Sequence, residues 1–152
     1  MKIKSPAKLN LHLEVIKKRT DGFHELRTVF QLIDLYDEIE FKLTNKEIDL
    51  VESPFPIKDN LILKAAHLLK KITQTSQGAT IFLDKKIPME KGLGGGSSNA
   101  ATTLIALNKL WGTQLKKDKL MEIGLELGSD IPFFIHSKNT WAEGRGEIFK
   151  DL

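Results

Sequence analysis

The chain has 152 residues, of which 41% are hydrophobic, enough for one domain with a single core. It contains no cysteine, which excludes a disulfide framework. Its net charge of +3 is mild and suits an anionic ligand and an ordinary solvated surface equally well. Because no stretch reaches the ~20 apolar residues of a membrane-spanning helix, and the N-terminus lacks a signal-peptide core, we expect a cytoplasmic protein without a membrane partner.

Alternating apolar and polar residues predict strands in the first half of the chain. Residues 11–15 carry Leu, Leu and Val at every second position and predict a half-buried strand. A second apolar run covers residues 26–33, and residues 39–43 alternate again after a polar break at 34–37. We therefore expect an antiparallel meander.

The second half of the chain predicts helices around one further strand. After a proline-rich loop at residues 53–56, the Asp-Asn pair at 59–60 is placed to cap a helix. Residues 79–83 predict a strand, and two later helices end near Trp111 and at Gly128. Strands first and helices interleaved later indicate an α+β fold. The inward residues expected of the three helices are Ile62, Ala65, Leu69 and Ile72; Ala100, Leu104, Leu107 and Trp111; and Leu120, Ile123 and Leu127.

Residues 91–101, Lys-Gly-Leu-Gly-Gly-Gly-Ser-Ser-Asn-Ala-Ala, are the most informative stretch. Ser97, Ser98 and Asn99 are residue types that cap the start of a helix, and the glycines let the backbone approach a ligand closely. A helix N-terminus carries partial positive charge and unpaired N–H donors, which favour a phosphate. We favour an anion-binding loop here over a glycine-rich turn that only caps a core helix.

Two common phosphate loops do not fit this stretch. A Walker A loop would close on a Lys-Ser or Lys-Thr pair, which is absent. The dinucleotide fingerprint needs a strand joined directly to the glycines, and residues 84–88 break that join. No acidic residue clearly occupies the ribose position about 20 residues further on.

Two other segments could carry chemistry. Lys8 and Asn10 lie two apart on an extended segment and point to the same side, although a lone lysine near an N-terminus is usually solvated. Asp130 lies between Gly128 and the apolar run at 131–134. It could cap a turn, or it could be a carboxylate in a dry pocket near the glycine loop, available as a base.

Five segments, in order, resemble the GHMP kinases, a family of small-molecule kinases. Residues 88–98 are similar to the family motif Pro-x-x-x-Gly-Leu-Gly-x-x-Ser-Ser. Together the five resemble the branch that acts on a cytidine-diphosphate-linked methylerythritol. The resemblance implies a GHMP kinase N-terminal domain, similar to the second domain of a ribosomal protein, with a mixed or antiparallel sheet and helices on one side. The other four segments are residues 5–11, 21–26, 60–66 and 127–134.

The resemblance implies ATP-dependent phosphorylation of the 2-hydroxyl of the methylerythritol. Lys8 and Asp130 match the catalytic pair: Asp130 would accept the hydroxyl proton, and Lys8 would hold the carboxylate ionised and stabilise the forming alkoxide. Asn10 would orient the substrate. Phe23 and His24 match the cytidine-recognition segment, in which the ring stacks on the base and the imidazole bonds its edge.

The resemblance also implies the nucleotide site. Asn60 matches a position near the adenine, and the glycine loop would hold the ATP phosphates. Mg²⁺ would bridge the phosphates, although no residue stands out as its ligand. The implied ATP-binding residues are Asn60, Pro88, Met89, Glu90, Lys91, Gly92, Leu93, Gly94, Gly95, Gly96, Ser97 and Ser98.

The sequence departs from the family pattern at four positions and in length. Glu90 and Lys91 stand where small residues are common, Phe23 replaces a frequent tyrosine, and Ser129 replaces a frequent alanine. Family members are about twice as long, with a second α+β domain. We expect residues 1–152 to be the N-terminal ATP-binding domain and to be inactive in isolation.

Two alternatives stay open. A different GHMP kinase would act on mevalonate, homoserine or a sugar, but such relatives need no cytosine site, against which residues 21–24 argue. An RNA-binding module of the same fold would need clustered basic residues interleaved with exposed aromatics. The sequence has no such cluster, so we expect no nucleic-acid partner.

Overall fold

A computed structural model describes all 152 residues and shows one sheet with four helices. The strands are β1 (Lys2–Lys18), β2 (His24–Thr44), β3 (Ile48–Ser53), β4 (Gly78–Asp84), β5 (Thr140–Glu143) and β6 (Ile148–Asp151). The helices are α1 (Leu61–Thr73), α2 (Gly95–Leu110), α3 (Lys117–Leu127) and α4 (Ile131–His136). None of the helices is both long enough and apolar enough to cross a bilayer. The predicted α+β class, with a mixed sheet and helices on one side, is confirmed.

The sheet is mixed, and β2 lies at its centre. Its order is β3-β4-β2-β5-β6, with β1 paired to β2 as well. All pairs are antiparallel except β3 with β4. The prediction of a three-strand meander is wrong, because residues 26–33 and 39–43 belong to the single strand β2. The polar break at 34–37 is an irregularity within that strand: Pro6 pairs with Tyr36, but Ala7 pairs with Ile33.

The helices bury one continuous apolar core against the sheet. The predicted inward faces of α1, α2 and α3 are confirmed at most positions, because a helical period of apolar residues has to be covered. Two helix ends differ from the prediction. Ile72, in the last turn of α1, is exposed, and Leu127, at the end of α3, is only half-buried. The buried predicted residues are Ile62, Ala65, Leu69, Ala100, Leu104, Leu107, Trp111, Leu120 and Ile123.

The outer half of the β1–β2 hairpin carries apolar side chains that nothing covers. Leu11, Leu13 and Val15 are 59%, 57% and 57% exposed, so the prediction of a half-buried strand is right for the strand and wrong for its burial. Over this stretch β1 pairs only with β2 and no helix packs on it. Alternation therefore identified the strand, but the core ends before reaching this part of it.

Candidate active site

A cleft of about 390 Å³ opens between the glycine loop and the start of α1. Residues 88–97 form one wall, and Asn60 with Ile57 lies on the other side. Lys8 and Asp130 also line it. The structure therefore brings together the predicted phosphate loop, Asn60 and the predicted catalytic pair, which are far apart in the chain.

The N-terminus of α2 points its free N–H groups into this cleft. Gly94 is the cap residue, in the left-handed region at φ 71°, and no side chain caps the helix. The first backbone bond at this end runs from Ser98 N to Gly94 O at 2.8 Å, so the three preceding N–H groups, of residues 95–97, stay open for an anion. The prediction that Ser97, Ser98 and Asn99 cap the helix is wrong, because they lie within its first turns.

Ser98 lies beneath the cleft rather than in it. Its side chain is buried, and its hydroxyl is 2.8 Å from that of Ser5 on β1. Of the implied ATP-binding residues, it is the one that does not line the cleft. Its role in the structure is to tie α2 to β1.

Only glycine fits at position 94. A Cβ there would lie 2.8 Å from Phe134 Cζ and 3.1 Å from Lys8 Cε, both closer than normal contacts. The Lys8 backbone N–H also donates to Leu93 O at 2.9 Å. The glycine loop therefore lies directly against Lys8.

Lys8 and Asp130 face each other at the edge of the cleft. Lys8 Nζ is 3.7 Å from Asp130 Oδ2, and the two side chains are 6% and 37% exposed. Lys8 Nζ donates to Asn10 Oδ1 and lies 5.4 Å from the centroid of the Phe30 ring. Asp130 occupies the cap position of α4, yet its carboxylate makes no capping bond. The carboxylate is therefore free to accept a proton from a ligand.

Asn60 has a structural role besides lining the cleft. Its Oδ1 accepts a bond from Ile62 N at 2.8 Å, and its Nδ2 donates to Glu52 Oε2 at 3.0 Å. The predicted cap of α1 is confirmed, with Asn60 as the cap residue. These bonds hold the side chain rigidly against the cleft wall.

One residue of the cleft, Lys85, went unnoticed in the sequence. Lys85 Nζ reaches beneath the start of α2, where a Cβ on Gly95 would lie only 2.7 Å from it. In the sequence alone, its segment indicates only a break before the loop. Glu90 has φ 60°, in the left-handed region that favours glycine, which fits the expectation that small residues are common there.

The residues predicted for cytidine recognition lie outside the cleft, on the β1–β2 hairpin. Phe23 is 45% exposed and His24 is exposed too. The Arg145 guanidinium stacks 3.5 Å from the centroid of the Phe23 ring, and its Nη2 donates to Ser129 Oγ at 3.2 Å. Arg145, which sequence reasoning missed, therefore links the Phe23 ring to the residue next to Asp130.

Comparison with known proteins places this geometry in a family. Residues 60–138 match the sequence model described as the GHMP kinases N terminal domain. The chain belongs to the GHMP kinases. The match covers α1, the glycine loop of residues 88–98, α2, α3 and α4. It includes all the residues that line the cleft except Lys8, Ile57 and Asp59.

Two curated relatives of this chain carry the same name. A protein of Ruthia magnifica, named 4-diphosphocytidyl-2-C-methyl-D-erythritol kinase, is 50% identical over 97% of this chain and 53% of its own length. A protein of the same name from Prochlorococcus marinus is 53% identical over 100% of this chain and 50% of its own length. The chain thus spans about half the length of the curated relatives that it matches.

Solved structures agree with the fold. The whole chain superposes on 55% of a crystal structure of 4-(cytidine 5'-diphospho)-2C-methyl-D-erythritol kinase, with a TM-score of 0.87 and 37% identity. The mevalonate kinase of Methanococcus jannaschii gives 0.73 at 21% identity, over 100% of this chain and 55% of that one, which shows the shared fold alone.

Proposed function

We propose that residues 1–152 are the ATP-binding domain of a kinase that phosphorylates the 2-hydroxyl of 4-diphosphocytidyl-2-C-methyl-D-erythritol. Relatives with that name are about 50% identical over nearly all of the chain. The observation that carries the proposal is the 3.7 Å approach of Lys8 Nζ to Asp130 Oδ2 beside the glycine loop. An ammonium and a free carboxylate at the edge of a phosphate cradle suit phosphoryl transfer to an alcohol.

The α2 N-terminus is the proposed seat of the ATP phosphates. The open N–H groups of residues 95–97 and the positive end of the helix favour the anion. Lys8, Lys85 and Lys91 line the same cleft and supply positive charge. Asn60 faces them from the opposite wall, where the adenine would lie. Positioning and charge neutralisation are the main requirements of this reaction.

Asp130 is the proposed base. Its carboxylate would accept the proton of the 2-hydroxyl as the oxygen attacks the γ-phosphorus of ATP and the bond to ADP breaks. The Lys8 ammonium lies close enough to stabilise the negative charge that develops on that oxygen. Asn10 accepts a bond from Lys8 and donates to Thr28 Oγ1 at 2.8 Å, which fixes the direction of the ammonium.

The residues of the cleft fit a magnesium ion that is held mainly by ATP. Mg²⁺ usually takes one or two protein oxygens and fills its other positions with phosphates and water. No cluster of three His, Cys, Asp or Glu side chains is present, but the Ser97 hydroxyl and the Glu90 carboxylate line the loop. These two residues would hold the ion. When bound, it would neutralise the charge that develops on the phosphates.

Phe23 is the proposed platform for the cytosine. One face of its ring is covered by Arg145, so the base would stack on the other face. His24 is adjacent and exposed, and its imidazole can bond the edge of the base.

Nucleotide binding by the 152-residue chain tests the first half of this proposal. We expect millimolar ATP with Mg²⁺ to shift the NMR amide resonances of Gly92, Gly94, Gly95 and Gly96, while those of α3 stay in place. GTP and CTP serve as comparison nucleotides. Shifts confined to other parts of the chain, or no shift at all, would refute the assignment of the nucleotide site.

A further inference from the structure

Asp37 is completely buried in the middle of β2, beneath the glycine loop. We propose that Asp37 is a positioning residue that clamps both ends of the loop and so sets the geometry of the phosphate site. The inference about the nucleotide rests on the proposed function, whereas the clamp itself is a property of the chain. No motif in the sequence pointed to this residue.

One carboxylate oxygen holds the N-terminal end of the loop. Asp37 Oδ1 accepts bonds from the backbone N–H groups of Lys86 at 2.6 Å and Ile87 at 2.8 Å. These are the two residues immediately before Pro88, where the loop begins. A carboxylate that receives two backbone N–H bonds fixes the path of the chain as it leaves β4.

The other oxygen holds the C-terminal end. Asp37 Oδ2 accepts a bond from Asn99 Nδ2 at 3.0 Å, and Asn99 lies in the second turn of α2. It also pairs with Lys85 Nζ at 2.6 Å. The Asn99 amide donates in addition to Ser5 Oγ at 3.0 Å, three residues before Lys8 on β1. The loop, α2 and the strand of Lys8 therefore share one buried network.

The buried charges of this network do little to stabilise the fold by themselves. Asp37 is fully buried and the Lys85 side chain is 8% exposed, and a buried ion pair is weak evidence of stabilisation, because both ions lose their hydration. The Lys85 ammonium also lies beside the N-terminus of α2, where a positive charge opposes the helix dipole. Asp37 offsets this charge, and an anion bound at that N-terminus would offset it further. The arrangement thus suits a phosphate site better than an apolar core.

Hydrogen exchange of the 152-residue chain tests the clamp without any ligand. Asn99→Ala removes the bond from Asn99 to Asp37, together with the bonds of Asn99 to Ser5 and Lys85, and leaves the Asp37–Lys85 ion pair in place. Asp37→Asn removes the charge that holds Lys85. Thr103→Val is the matched control: it removes a buried side-chain hydrogen bond of α2, in which the Thr103 hydroxyl donates to the backbone Asn99 O at 2.8 Å and does not touch Asp37. Amide exchange at residues 88–98 and ATP affinity are measured on each variant.

We expect exchange in residues 88–98 to accelerate about tenfold or more in Asn99→Ala, and ATP affinity to fall by a similar factor, because a misplaced cradle binds its ligand poorly. Thr103→Val should match the wild type in both readouts. Unchanged loop exchange in Asn99→Ala and Asp37→Asn would overturn the proposal, as would an equal acceleration in Thr103→Val. If Asp37→Asn does not fold, Asn99→Ala is compared with Ser5→Ala, which removes the bonds of Ser5 and keeps the bond from Asn99 to Asp37. Faster loop exchange in Asn99→Ala than in Ser5→Ala supports the clamp, and equal exchange in the two overturns it.

The two proposals can fail separately. If the wild-type chain binds no ATP but loop exchange is faster in Asn99→Ala than in the wild type, the nucleotide site is refuted and the clamp is supported. If the wild-type chain binds ATP, and Asn99→Ala changes neither the ATP affinity nor the loop exchange, the clamp is refuted and the nucleotide site stands.

Discussion

The guanidinium of Arg145 stacks 3.5 Å from the centroid of the Phe23 ring and so covers one face of it. Because Arg145 is also bonded to Ser129, beside Asp130, it fixes the ring relative to the proposed base. We expect Arg145→Met to weaken binding of the cytidine substrate by ~0.5–1.5 kcal/mol, the cost of ordering one side chain on binding, because the ring is no longer held in place, and to leave ATP binding unchanged. Isothermal titration of both ligands measures this.

Phe23→Ala is the companion variant for the same contact. We expect it to weaken binding of the cytidine substrate by ~1–3 kcal/mol, the contribution of one base–aromatic stack. Tighter substrate binding in Arg145→Met would mean that the guanidinium competes with cytosine for the ring. An equal loss of ATP affinity in Phe23→Ala would mean that the ring supports the fold instead.

Asp130→Asn, made in a protein that also carries the C-terminal half of the kinase, should separate chemistry from binding. The amide keeps the shape of the side chain but cannot accept the proton, so we expect turnover to fall by roughly 10²–10⁴ while ATP affinity is retained. Asp59→Asn is the matched control, because Asp59 also lines the cleft and its φ of 52° suits asparagine. Turnover within twofold of wild type for Asp130→Asn would remove this residue from the mechanism.

Gly94 and Gly92 form a natural pair for measuring how tightly the loop packs. Both have φ near +70°, but a Cβ meets Phe134 and Lys8 at position 94 and nothing within 4 Å at position 92. We expect Gly92→Ala to cost ~1–2 kcal/mol of unfolding free energy from backbone strain alone. Gly94→Ala should cost ~1–3 kcal/mol more, because the core there is overpacked. Urea unfolding measures both, and equal losses would contradict the close approach to Lys8.

His136 gives the fold a pH dependence. Burial, and then the charges of Lys117 and Lys138, lower the pKa of His136 below its ordinary value. The unfolded chain therefore binds the proton more tightly, and this contribution is complete above about pH 6.5 and is lost as the pH falls toward the folded-state pKa. The His136 ring stacks on the Phe149 ring, with 4.8 Å between the ring centroids. His136→Phe therefore keeps an aromatic contact but removes the titrating group. We expect this variant to lose stability less steeply than wild type between pH 7 and 5.5, as measured by urea unfolding.

The parts of the fold that local pattern determines could be predicted from the sequence. The buried stripe of α2 follows from apolar residues at helical spacing, and Asn60 caps α1 as its residue type suggests. The strand β2 was divided in two because its bulge carries polar residues that resemble a turn. Leu11 and Leu13 were expected to be half-buried because alternation shows which residues share a face, and not whether that face is covered.

The site could be predicted only where a motif carries it. The glycine loop and Asp130 stand out in the sequence, and the structure places both beside one cleft. The pairing of Asp37 with Lys85 depends on the register of β2 with β4, and the stacking of Arg145 on Phe23 depends on how two turns meet. Neither relationship has a local signal, because each is set by tertiary structure.

Phosphoryl transfer tests the central claim most directly. The chain would be joined to the C-terminal half of the Ruthia magnifica relative, and ADP formation measured with ATP, Mg²⁺ and either 4-diphosphocytidyl-2-C-methyl-D-erythritol or mevalonate. We predict ADP formation that depends on the cytidine substrate, is absent with mevalonate, and falls by about 10²-fold or more in Asp130→Asn. Equal rates with the two alcohols, or no ADP from the cytidine substrate in a protein that binds ATP, would contradict the account.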